Sequence, residues 1–392
     1  MPWPLWVPLL LLALVGNARI ALFALNRLVF GEKHESNRMT WGLMLIPAAV
    51  LVLDVLFVPA WLWMERARPN GWGAAGIVWI ALNALTGAYW LVDRTSRNLH
   101  PPIVEGVRSD VPLLIRLRRA HLPYRWLQKL GAHNDLYDLE LTQHDVFIPD
   151  LPPPFDGYRI AFITDTHVAG FMRRAFYRTL LEQVMHTRPE LVLFGGDFVT
   201  WRRHIPLMAE LLTAGLHARD GMYAVLGNHD YWADADGVVA ALTARGVRFI
   251  VNRSVEITRD GSVIDLAGID ELYRGEPDIG AAFRSVPGHR PCIAVSHHPD
   301  IIDRMGERRV DLLVCGHTHG GQIRLPFLGA IVVPSIHEGR YAAGFFRQRN
   351  VLMYVSRGLG SVPPVRILCR PEAPIFTLRR GSITSRAEPE VP

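Results

Sequence analysis

The sequence predicts an α/β protein with a largely parallel sheet and a second, strand-rich half, preceded by an N-terminal module of transmembrane α-helices. Three observations support this prediction. Long apolar runs fill most of the first 95 residues, apolar strands alternate with helical stretches after residue 136, and polar residues follow the ends of several of these strands. Strands that alternate with helices are typical of βαβ units, whose strands pair in parallel.

The composition is that of a folded chain with an unusually apolar part. Of the 392 residues, 49% are hydrophobic and only 20% are charged, whereas globular domains carry about 25% charged residues. A disordered chain would be richer in charge and poorer in aromatic residues. Three cysteines, Cys292, Cys315 and Cys369, are too few for a disulfide scaffold. We therefore predict buried free thiols.

The first module, residues 1–95, is predicted to contain about three membrane spans. The apolar runs cover residues 5–25, 41–64 and 72–92. Each is close to or above the ~20 residues that cross a ~30 Å hydrocarbon core as a helix. Buried core helices are the alternative for all three runs. A signal peptide is a further alternative for the first run, but that run lacks the basic residues that precede a signal sequence.

The basic residues around the second and third runs predict their orientation. The tip between these runs, residues 65–71, carries two arginines. The outer flanks carry Arg27, Lys33, Arg38, Arg94, Arg97 and Arg108. Because cytoplasmic flanks are enriched in Lys and Arg, we expect a multi-pass protein of the inner (cytoplasmic) membrane with its C-terminal domain in the cytoplasm. Charges inside a membrane usually pair, so we also predict a pair between Arg19 and Asp54.

Residues 96–135 are predicted to form a juxtamembrane basic amphipathic segment. Pro123 divides it into two short helices, in which apolar residues alternate with Arg116, Arg118, Arg119, Arg125 and Lys129. Such a segment beside a membrane binds anionic headgroups. An ordinary solvated helix packed on the next domain is the alternative. This local cluster accounts for much of the net charge of +5, and we therefore predict no nucleic-acid partner.

Residues 136–382 are predicted to form the second module, followed by a flexible tail over residues 383–392. Apolar strands end near residues 163, 194 and 226, and a helical stretch follows each of them. Helices become scarce after residue 245, where short strands separated by turn residues follow one another. We expect this later half to pack as a second sheet.

Polar groups follow the ends of five predicted strands. The candidate metal ligands among them are Asp165, His167, Asp197, Asn228, His297, His317 and His319. The carboxyl ends of strands are the usual position of sites in open α/β sheets. Nitrogen and oxygen ligands without thiolate suit Mn, Fe, Zn or Co, and seven ligands are too many for one tetrahedral ion. We predict two divalent metal ions that share a carboxylate, an arrangement used in phosphoester hydrolysis.

These motifs resemble those of the calcineurin-like metallophosphoesterase superfamily over about residues 145–380. The motifs are Asp165-Thr-His167, Gly195-Gly-Asp197, Gly227-Asn-His-Asp230, His297-His-Pro299 and Gly316-His-Thr-His319. The extended stretch 316–326, with Ser356-Arg-Gly-Leu-Gly360, is similar to a bacterial membrane-linked branch. That branch includes envelope phosphodiesterases and an enzyme that hydrolyses UDP-2,3-diacylglucosamine. The resemblance implies a four-layer α/β/β/α metallophosphoesterase sandwich, with two sheets face to face and helices on the outside.

The resemblance also implies a role for each residue of the site. One metal would be held by Asp165, His167, Asp197 and His319, and the other by Asp197, Asn228, His297 and His317, with Asp197 as the bridge. The catalytic residue would be His229, which stabilises or protonates the leaving group. Asp230 is expected to orient His229. Of two adjacent histidines, the family pattern selects His297 as the ligand, and the role of His298 stays open.

The predicted activity is metal-dependent hydrolysis of a phosphodiester or pyrophosphate bond, with UDP-2,3-diacylglucosamine as the named lipid-linked candidate. Mn is the expected metal. The expected partners are the lipid bilayer and a phosphorylated or nucleotide-linked lipid, without an obligate protein partner. Two alternatives are a general phosphodiesterase for phospholipid or cell-wall diesters and a catalytically idle receptor or scaffold. Substrate-binding residues stay unassigned, although four arginines follow the last metal motif: Arg324, Arg340, Arg357 and Arg366.

Overall fold

A computed structural model of the chain describes residues 8–20, 72–99, 104–116, 134–169, 172 and 174–382. The chain divides into two compact units. The first comprises residues 1–102 and 325–338, and the second comprises residues 103–324 and 339–392. The predicted tail from residue 383 lies outside the described residues.

The first unit contains two helices in close contact. Residues 8–20 are helical, and helix α1 spans Trp72–Leu99. Ala13, Ile80 and Ala84 form a small buried cluster between them. The backbones approach so closely that a Cβ added to Gly16 would lie 1.9 Å from the carbonyl oxygen of Asn83. Small residues permit this close approach.

The predicted membrane module is not supported by the described part of the chain. No helix within those residues has both the length and the apolar character that a membrane span needs. The second apolar run, residues 41–64, lies outside the described residues. Arg19 forms an ion pair with Glu338 over 2.6 Å. Asp54 lies outside the described residues, so the pair of Arg19 with Asp54 stays a prediction.

The second unit is built on two sheets. Its helices are α2 (Arg174–His186), α3 (Ile205–Thr213), α4 (Asn228–Ala233), α5 (Ala235–Thr243) and α6 (Ile279–Ala282). Its strands begin with β1 (Val107–Ser109), β2 (Leu113–Arg116), β3 (Asp138–Ile148), β4 (Arg159–Ile163), β5 (Leu191–Phe194), β6 (Met222–Ala224) and β7 (Val247–Phe249). They continue with β8 (Arg253–Arg259), β9 (Ser262–Ile269), β10 (Cys292–Ser296), β11 (Val310–Cys315), β14 (Gly344–Gln348), β15 (Val351–Val355) and β16 (Glu372–Arg380). The short strands β12 (Arg324–Leu325) and β13 (Gly329–Ala330) pair with each other.

The first sheet has the strand order β1-β3-β16-β4-β5-β6-β7 within the described residues, and β2 also pairs with β3. Strands β4 to β7 are parallel, as the βαβ pattern predicted. The last described strand, β16, lies between β3 and β4, parallel to β3 and antiparallel to β4. The basic segment differs from its prediction where it is described: Leu113–Arg116 forms strand β2 because it pairs with β3, rather than a helix.

The second sheet has the order β14-β15-β11-β10-β9-β8 within the described residues. Its four central strands are parallel, and both edge strands run antiparallel to their neighbours. This sheet is the strand-rich half that the sequence predicted.

The two sheets pack face to face, with helices outside them. Alternate residues of a strand point to opposite faces, and both faces of the central strands are buried. On β4, Ile160 and Phe162 belong to the core between the sheets, whereas Ala161 and Ile163 face the core formed with α2, α3 and α5. On β10, Ala294 belongs to a third core beneath α6. Three cores between four layers confirm the predicted α/β sandwich, and all three cysteines are buried and free.

Candidate metal centre

The candidate ligands lie at the carboxyl ends of five strands, three in the first sheet and two in the second. Asp165 and His167 follow β4, Asp197 follows β5, and Asn228 follows β6 at the start of α4. From the second sheet, His297 follows β10, and His317 and His319 follow β11. The parallel strands bring their carboxyl ends to one edge of each sheet.

One group of potential ligand atoms combines Asp165, His167, Asp197 and His319, all buried, with these atoms within 4.8 Å of one another. The two imidazoles face each other, with 3.0 Å between the Nε2 atoms of His167 and His319. The Nε2 atom of His167 lies 3.4 Å from Oδ2 of Asp197, and Nε2 of His319 lies 3.5 Å from Oδ1 of Asp165. Two imidazoles and two carboxylates fit a divalent metal such as Mn, Fe or Zn.

A second group combines Asp197, His297 and His317. The Nε2 atom of His297 lies 3.1 Å from Nδ1 of His317 and 3.4 Å from Oδ2 of Asp197. The Nδ1 atom of His297 lies 2.8 Å from the carbonyl oxygen of Gly195. Because a carbonyl oxygen only accepts hydrogen bonds, Nδ1 donates to it, and Nε2 is the nitrogen that a metal would take here, as in metal-binding histidines.

Asn228 fits the second group as an oxygen ligand. Its Oδ1 atom is buried and has no hydrogen-bond partner within the described part of the chain. Buried amide oxygens are normally satisfied, so an unpaired one beside histidines and a carboxylate points to a cation. The two groups contain six of the seven predicted ligands and share Asp197, and the resemblance assigns Asn228 to the second group.

Five of the seven candidate ligands have left-handed backbone conformations. The φ angles are 52° for Asp165, 43° for His167, 52° for Asp197, 69° for His317 and 52° for His319. Non-glycine residues rarely adopt positive φ, and such strain concentrates at functional sites. The surrounding structure therefore fixes these side chains at an energetic cost.

Two glycines allow the loops after β5 and β6 to touch. A Cβ added to Gly196, where φ is 90°, would lie 2.3 Å from the backbone nitrogen of Gly227. A Cβ added to Gly227 would lie 2.2 Å from Oδ1 of Asp197. Both distances are far shorter than van der Waals contact, so the position of Asp197 depends on the absence of side chains here.

Burial and mutual charge set the ionisation of the ligands. Burial lowers the pKa of His167 to about 3 and holds the pKa values of His317 and His319 well below their usual range. Neutral imidazole is the form that binds a metal. Burial alone would raise the pKa of Asp197, but the charge of His297 outweighs it and holds that pKa well below its usual value. The same interaction outweighs burial at His297 and raises its pKa to about 10, so a metal at this position would displace a proton from His297.

His229 lies beside both groups without belonging to either of them. Its ring contacts the rings of His167 and Trp232 edge to face, with 4.6 Å between the centroids in each case. Its backbone N–H donates to Oδ1 of Asp197 over 2.8 Å. Burial lowers the pKa of the His229 imidazole. This position at the rim suits a group that acts on the leaving atom rather than on the metals.

Asp230 does not act as predicted. Its carboxylate accepts four backbone N–H groups, from Asp197 over 2.8 Å, from Gly227 and Phe198 over 2.9 Å each and from Val199 over 3.4 Å. No hydrogen bond to the His229 ring is present among the described residues. Asp230 therefore fixes the loop that carries Asp197, a role that arises from loops distant in sequence.

Two buried residues support the ligands from behind. The His298 ring lies 4.0 Å from the ring of His317, and its Nδ1 atom accepts from the backbone of Asp300 over 3.2 Å. Arg366 is fully buried, and its guanidinium reaches Nδ1 of His319 at 3.4 Å and the carbonyl oxygen of Arg357 at 2.7 Å.

The arginines that follow the last metal motif are mostly engaged with protein groups. Arg357 donates to Glu372 and Glu140 over 2.7 and 2.8 Å, and Arg324 donates to the carbonyl of Gly320 over 3.2 Å. Sequence reasoning missed Trp232 and Arg274, which lie near His229. Trp232 falls one helical turn after Asn228, a spacing that could have indicated it, whereas nothing local singles out Arg274.

Comparison with known proteins agrees with this geometry. The family model for calcineurin-like phosphoesterases matches residues 158–321. The chain is 32% identical over 252 residues to an uncharacterized metallophosphoesterase of Bacillus subtilis, YkuE, covering 62% of this chain and 86% of that protein. It is 29% identical over 246 residues to the phosphodiesterase YaeI of Escherichia coli, covering 61% and 88%.

A third relative has a lipid-related name. The chain is 26% identical over 290 residues to the UDP-2,3-diacylglucosamine pyrophosphatase LpxG of Chlamydia trachomatis, covering 60% of this chain and 87% of that protein. The family match contains both carboxylates of the site and all of its histidines. From these matches and the buried ligand groups we conclude that the chain belongs to the calcineurin-like phosphoesterase family and is a metal-dependent phosphoester hydrolase.

Proposed function

We propose that the protein is a dinuclear-metal phosphoesterase that hydrolyses a phosphodiester or pyrophosphate bond. The observation that carries this proposal is the position of Asp197, which belongs to both groups of potential ligands. A carboxylate shared by two ligand groups fits a pair of divalent ions, and the amide oxygen of Asn228 completes the second group. Mn is the expected metal, and Fe, Zn or Co also accept these ligands.

When bound, two divalent ions would supply Lewis acidity that neutralises phosphate oxygens and lowers the pKa of a water molecule. The protein positions the other participants. His229, next to His167, donates a proton to the leaving oxygen or stabilises its charge. The hydrogen bond from the His229 backbone to Asp197 fixes the distance between this imidazole and the ligands.

The proposed substrate is a lipid-linked phosphoester, and UDP-2,3-diacylglucosamine is the specific candidate. The name of the relative LpxG, with 26% identity to this chain, supports this choice. A general phosphodiesterase that acts on phospholipid or cell-wall diesters is the second candidate, favoured by the name of the relative YaeI. An idle receptor or scaffold on the same fold is disfavoured by the complete set of ligands.

We also propose that the lipid bilayer is a partner of this protein. Helix α1 exposes a stripe of apolar side chains at spacings of three and four residues: Val78, Leu82, Leu85, Tyr89 and Val92. Residues at this spacing share one helix face, and a large exposed apolar face marks an interaction site. Together with the apolar runs of the sequence, this stripe supports an inner-membrane protein. The basic residues that flank the second and third runs favour a catalytic domain in the cytoplasm.

The substrate proposal is tested with the detergent-purified full chain and Mn. Release of UMP from UDP-2,3-diacylglucosamine by the wild type, and not by the Asp197→Asn variant, is the expected result. If only bis(4-nitrophenyl) phosphate is cleaved, the metal mechanism stands and the lipid substrate is wrong. If neither compound is cleaved although the protein contains metal, the scaffold alternative replaces the enzyme proposal.

The membrane proposal needs its own experiment. We expect the full chain to stay with the membrane fraction after washing with alkaline carbonate. A fluorescent protein fused to the C-terminus is expected to be bright, whereas an alkaline phosphatase fusion is expected to be inactive. The reverse pattern of the two fusions would place the catalytic domain outside the cytoplasm, and release by carbonate would contradict the anchor.

A further inference from the structure

We propose that Trp232 and Arg274 form a subsite for a negatively charged group on the leaving-group side of the substrate. This inference rests on the proposed function, because it uses the position of His229 beside the leaving oxygen. The inference adds the class of substrate that the enzyme prefers, namely substrates whose leaving group carries a phosphate or another anion.

The first support is the position of Trp232. Its ring contacts the His229 ring at a centroid distance of 4.6 Å and an interplanar angle of 67°. Trp232 is 39% exposed, which is unusual for a large aromatic side chain next to a buried metal centre. A substrate group that leaves past His229 would therefore meet the indole.

The second support is the position of Arg274. The central carbon of its guanidinium lies 5.4 Å from the centroid of the Trp232 ring. A guanidinium at this distance interacts with the face of the indole. Trp232 therefore contacts both the His229 ring and the Arg274 guanidinium.

The third support is that no carboxylate among the described residues is paired with the Arg274 guanidinium by a hydrogen bond or a salt bridge. Glu271 acts on its charge from a distance, but the carboxylate of Glu271 is engaged by the backbone N–H groups of Tyr273 and Arg274. The Arg274 side chain is half-buried, and a partly buried cation gains from a directly bound anion. By contrast, Arg202 on the neighbouring loop pairs with Asp234 over 2.9 Å.

The loop that carries Arg274 is firmly attached to the helix that carries His229. The carboxylate of Asp270 accepts the hydroxyl of Tyr231 over 2.5 Å and the backbone N–H of Glu276 over 2.8 Å. The buried carboxylate of Glu271 accepts the backbone N–H of Tyr273 over 2.8 Å. These contacts fix Arg274 relative to His229 before any substrate binds, so less ordering is needed on binding.

The chemistry of the pair identifies the ligand. A guanidinium presents a planar fork that binds phosphate or carboxylate oxygens in a bidentate manner. In a pyrophosphate, attack at one phosphorus breaks its bond to the bridging oxygen, and the second phosphate leaves with that oxygen. That second phosphate carries the negative charge that Arg274 would bind. An alcohol or phenol leaving group without an anionic substituent would not be stabilised by the Arg274 guanidinium.

The test compares two substrates in the wild type and in Arg274→Gln, with the full chain and Mn. UDP-glucose has a phosphorylated leaving group, and bis(4-nitrophenyl) phosphate does not. We expect Arg274→Gln to lower kcat/KM for UDP-glucose about 10- to 100-fold, which is the usual effect of losing a charged hydrogen bond. The kcat/KM for bis(4-nitrophenyl) phosphate should stay within twofold of the wild-type value. The unchanged second rate would show that the variant is folded.

Arg203→Gln is the matched control. Arg203 also lies over an exposed tryptophan, with its central carbon 4.9 Å from the ring centroid of Trp201. We expect this variant to leave the ratio of the two substrates unchanged. Equal losses on both substrates in Arg274→Gln, or no loss on either, would overturn the subsite.

A binding measurement separates this inference from the proposed function. UDP binding to the Mn-loaded protein is followed by tryptophan fluorescence and calorimetry. If the wild type turns over neither substrate, the proposed function fails, yet Arg274→Gln is still expected to raise the Kd for UDP about tenfold relative to Arg203→Gln. Equal Kd values in the two variants would contradict the subsite whatever the turnover.

Discussion

Asp197 is the residue on which the candidate site depends most. Its Oδ2 atom lies 3.4 Å from the Nε2 atoms of both His167 and His297, while Oδ1 accepts the backbone N–H of His229. One carboxylate thus joins the two ligand groups and positions the imidazole at the rim. An amide in its place would keep the shape and remove the negative charge that two divalent ions need.

We expect Asp197→Asn to lose metal and to lower the hydrolysis of bis(4-nitrophenyl) phosphate by at least about 1,000-fold, the scale of removing the main electrostatic stabilisation in an active site. Metal content by mass spectrometry and the hydrolysis rate check this. Asp220→Asn serves as the control, because Asp220 accepts the Tyr158 hydroxyl over 2.7 Å and lies in neither ligand group. Full metal content in Asp197→Asn would contradict the shared carboxylate.

His229→Ala is expected to keep both metals and to lose most of its turnover. Removing a general acid typically costs about 100- to 10,000-fold, and the loss should be larger for an alkyl leaving group than for 4-nitrophenolate, which needs no proton. Rates on paired methyl and 4-nitrophenyl diesters, with metal content measured in parallel, give the answer. Unchanged turnover of the methyl compound would rule out this role for His229.

At this scale the sequence predicted which residues to examine but not how they are held. The motifs pointed to seven residues, and the structure brings six of them into two groups. The left-handed conformations of Asp165 or His317 have no local signal, because they are imposed by loops elsewhere in the fold. For the same reason, the spacing of the motifs along the sequence did not predict the backbone contacts of Asp230 or the contact of Arg366 with His319.

Among the elements, the contact between the loops after β5 and β6 controls the geometry of the site. We expect Gly227→Ala to weaken Mn binding at least about tenfold, since the new methyl group would meet Asp197 at 2.2 Å and displace it. Gly288→Ala is the control, because a Cβ there has no atom within 4 Å. Titration with Mn measures both, and equal affinities in the two variants would contradict the tight contact.

Strand β3 carries a buried titratable group away from the metal centre. His144 packs among Phe345, Tyr354 and Phe376, and its Nδ1 atom lies 2.8 Å from the hydroxyl of Ser109. Burial lowers its pKa from 6.5 to about 4, although the charge of Glu372 partly opposes this. The unfolded chain therefore takes up this proton at higher pH than the folded protein does.

The free energy of unfolding should consequently fall as the pH drops from about 6.5 to 4, by up to about 3 kcal/mol from this group alone. Above pH 6.5 both states are neutral and the group has no effect. We expect His144→Gln to reduce this fall, as measured by denaturant unfolding at several pH values. Parallel pH curves for the variant and the wild type would show that His144 is not the cause.

The elements themselves were predictable to the extent that their signals are local. The alternation of strands and helices gave the parallel part of the first sheet correctly. The place of β16 was not predictable, because Arg379 and Asp145 are 234 residues apart and yet ion-paired over 3.0 Å. Residues 113–116 were expected to be helical from their amphipathic pattern, but pairing with β3 overrides that local preference.

On the scale of the whole molecule, the site joins the two sheets. Asp165, Asp197 and Asn228 come from the first sheet, and the second sheet supplies three histidines. A ligand that binds only the folded state stabilises it by mass action, and metals held between two sheets should resist their separation.

We therefore expect EDTA to lower the unfolding temperature of the wild type by several degrees, since binding at 100 times Kd stabilises by about 2.7 kcal/mol. Differential scanning fluorimetry with EDTA and with added Mn checks this. The same additions should hardly change the unfolding temperature of Asp197→Asn. An equal response of both proteins would show that the ions act elsewhere on the molecule.

The position of β16 also has a consequence for synthesis on the ribosome. Among the described strands of the first sheet, β16 is synthesised last, although it lies inside the sheet between β3 and β4. Until then β3 and β4 present open edges to each other, and open edges invite pairing with foreign strands. A nascent chain of this protein must therefore keep a gap in its first sheet until residues 372–380 have been synthesised, and a chain that stops before residue 372 would have a first sheet that cannot close.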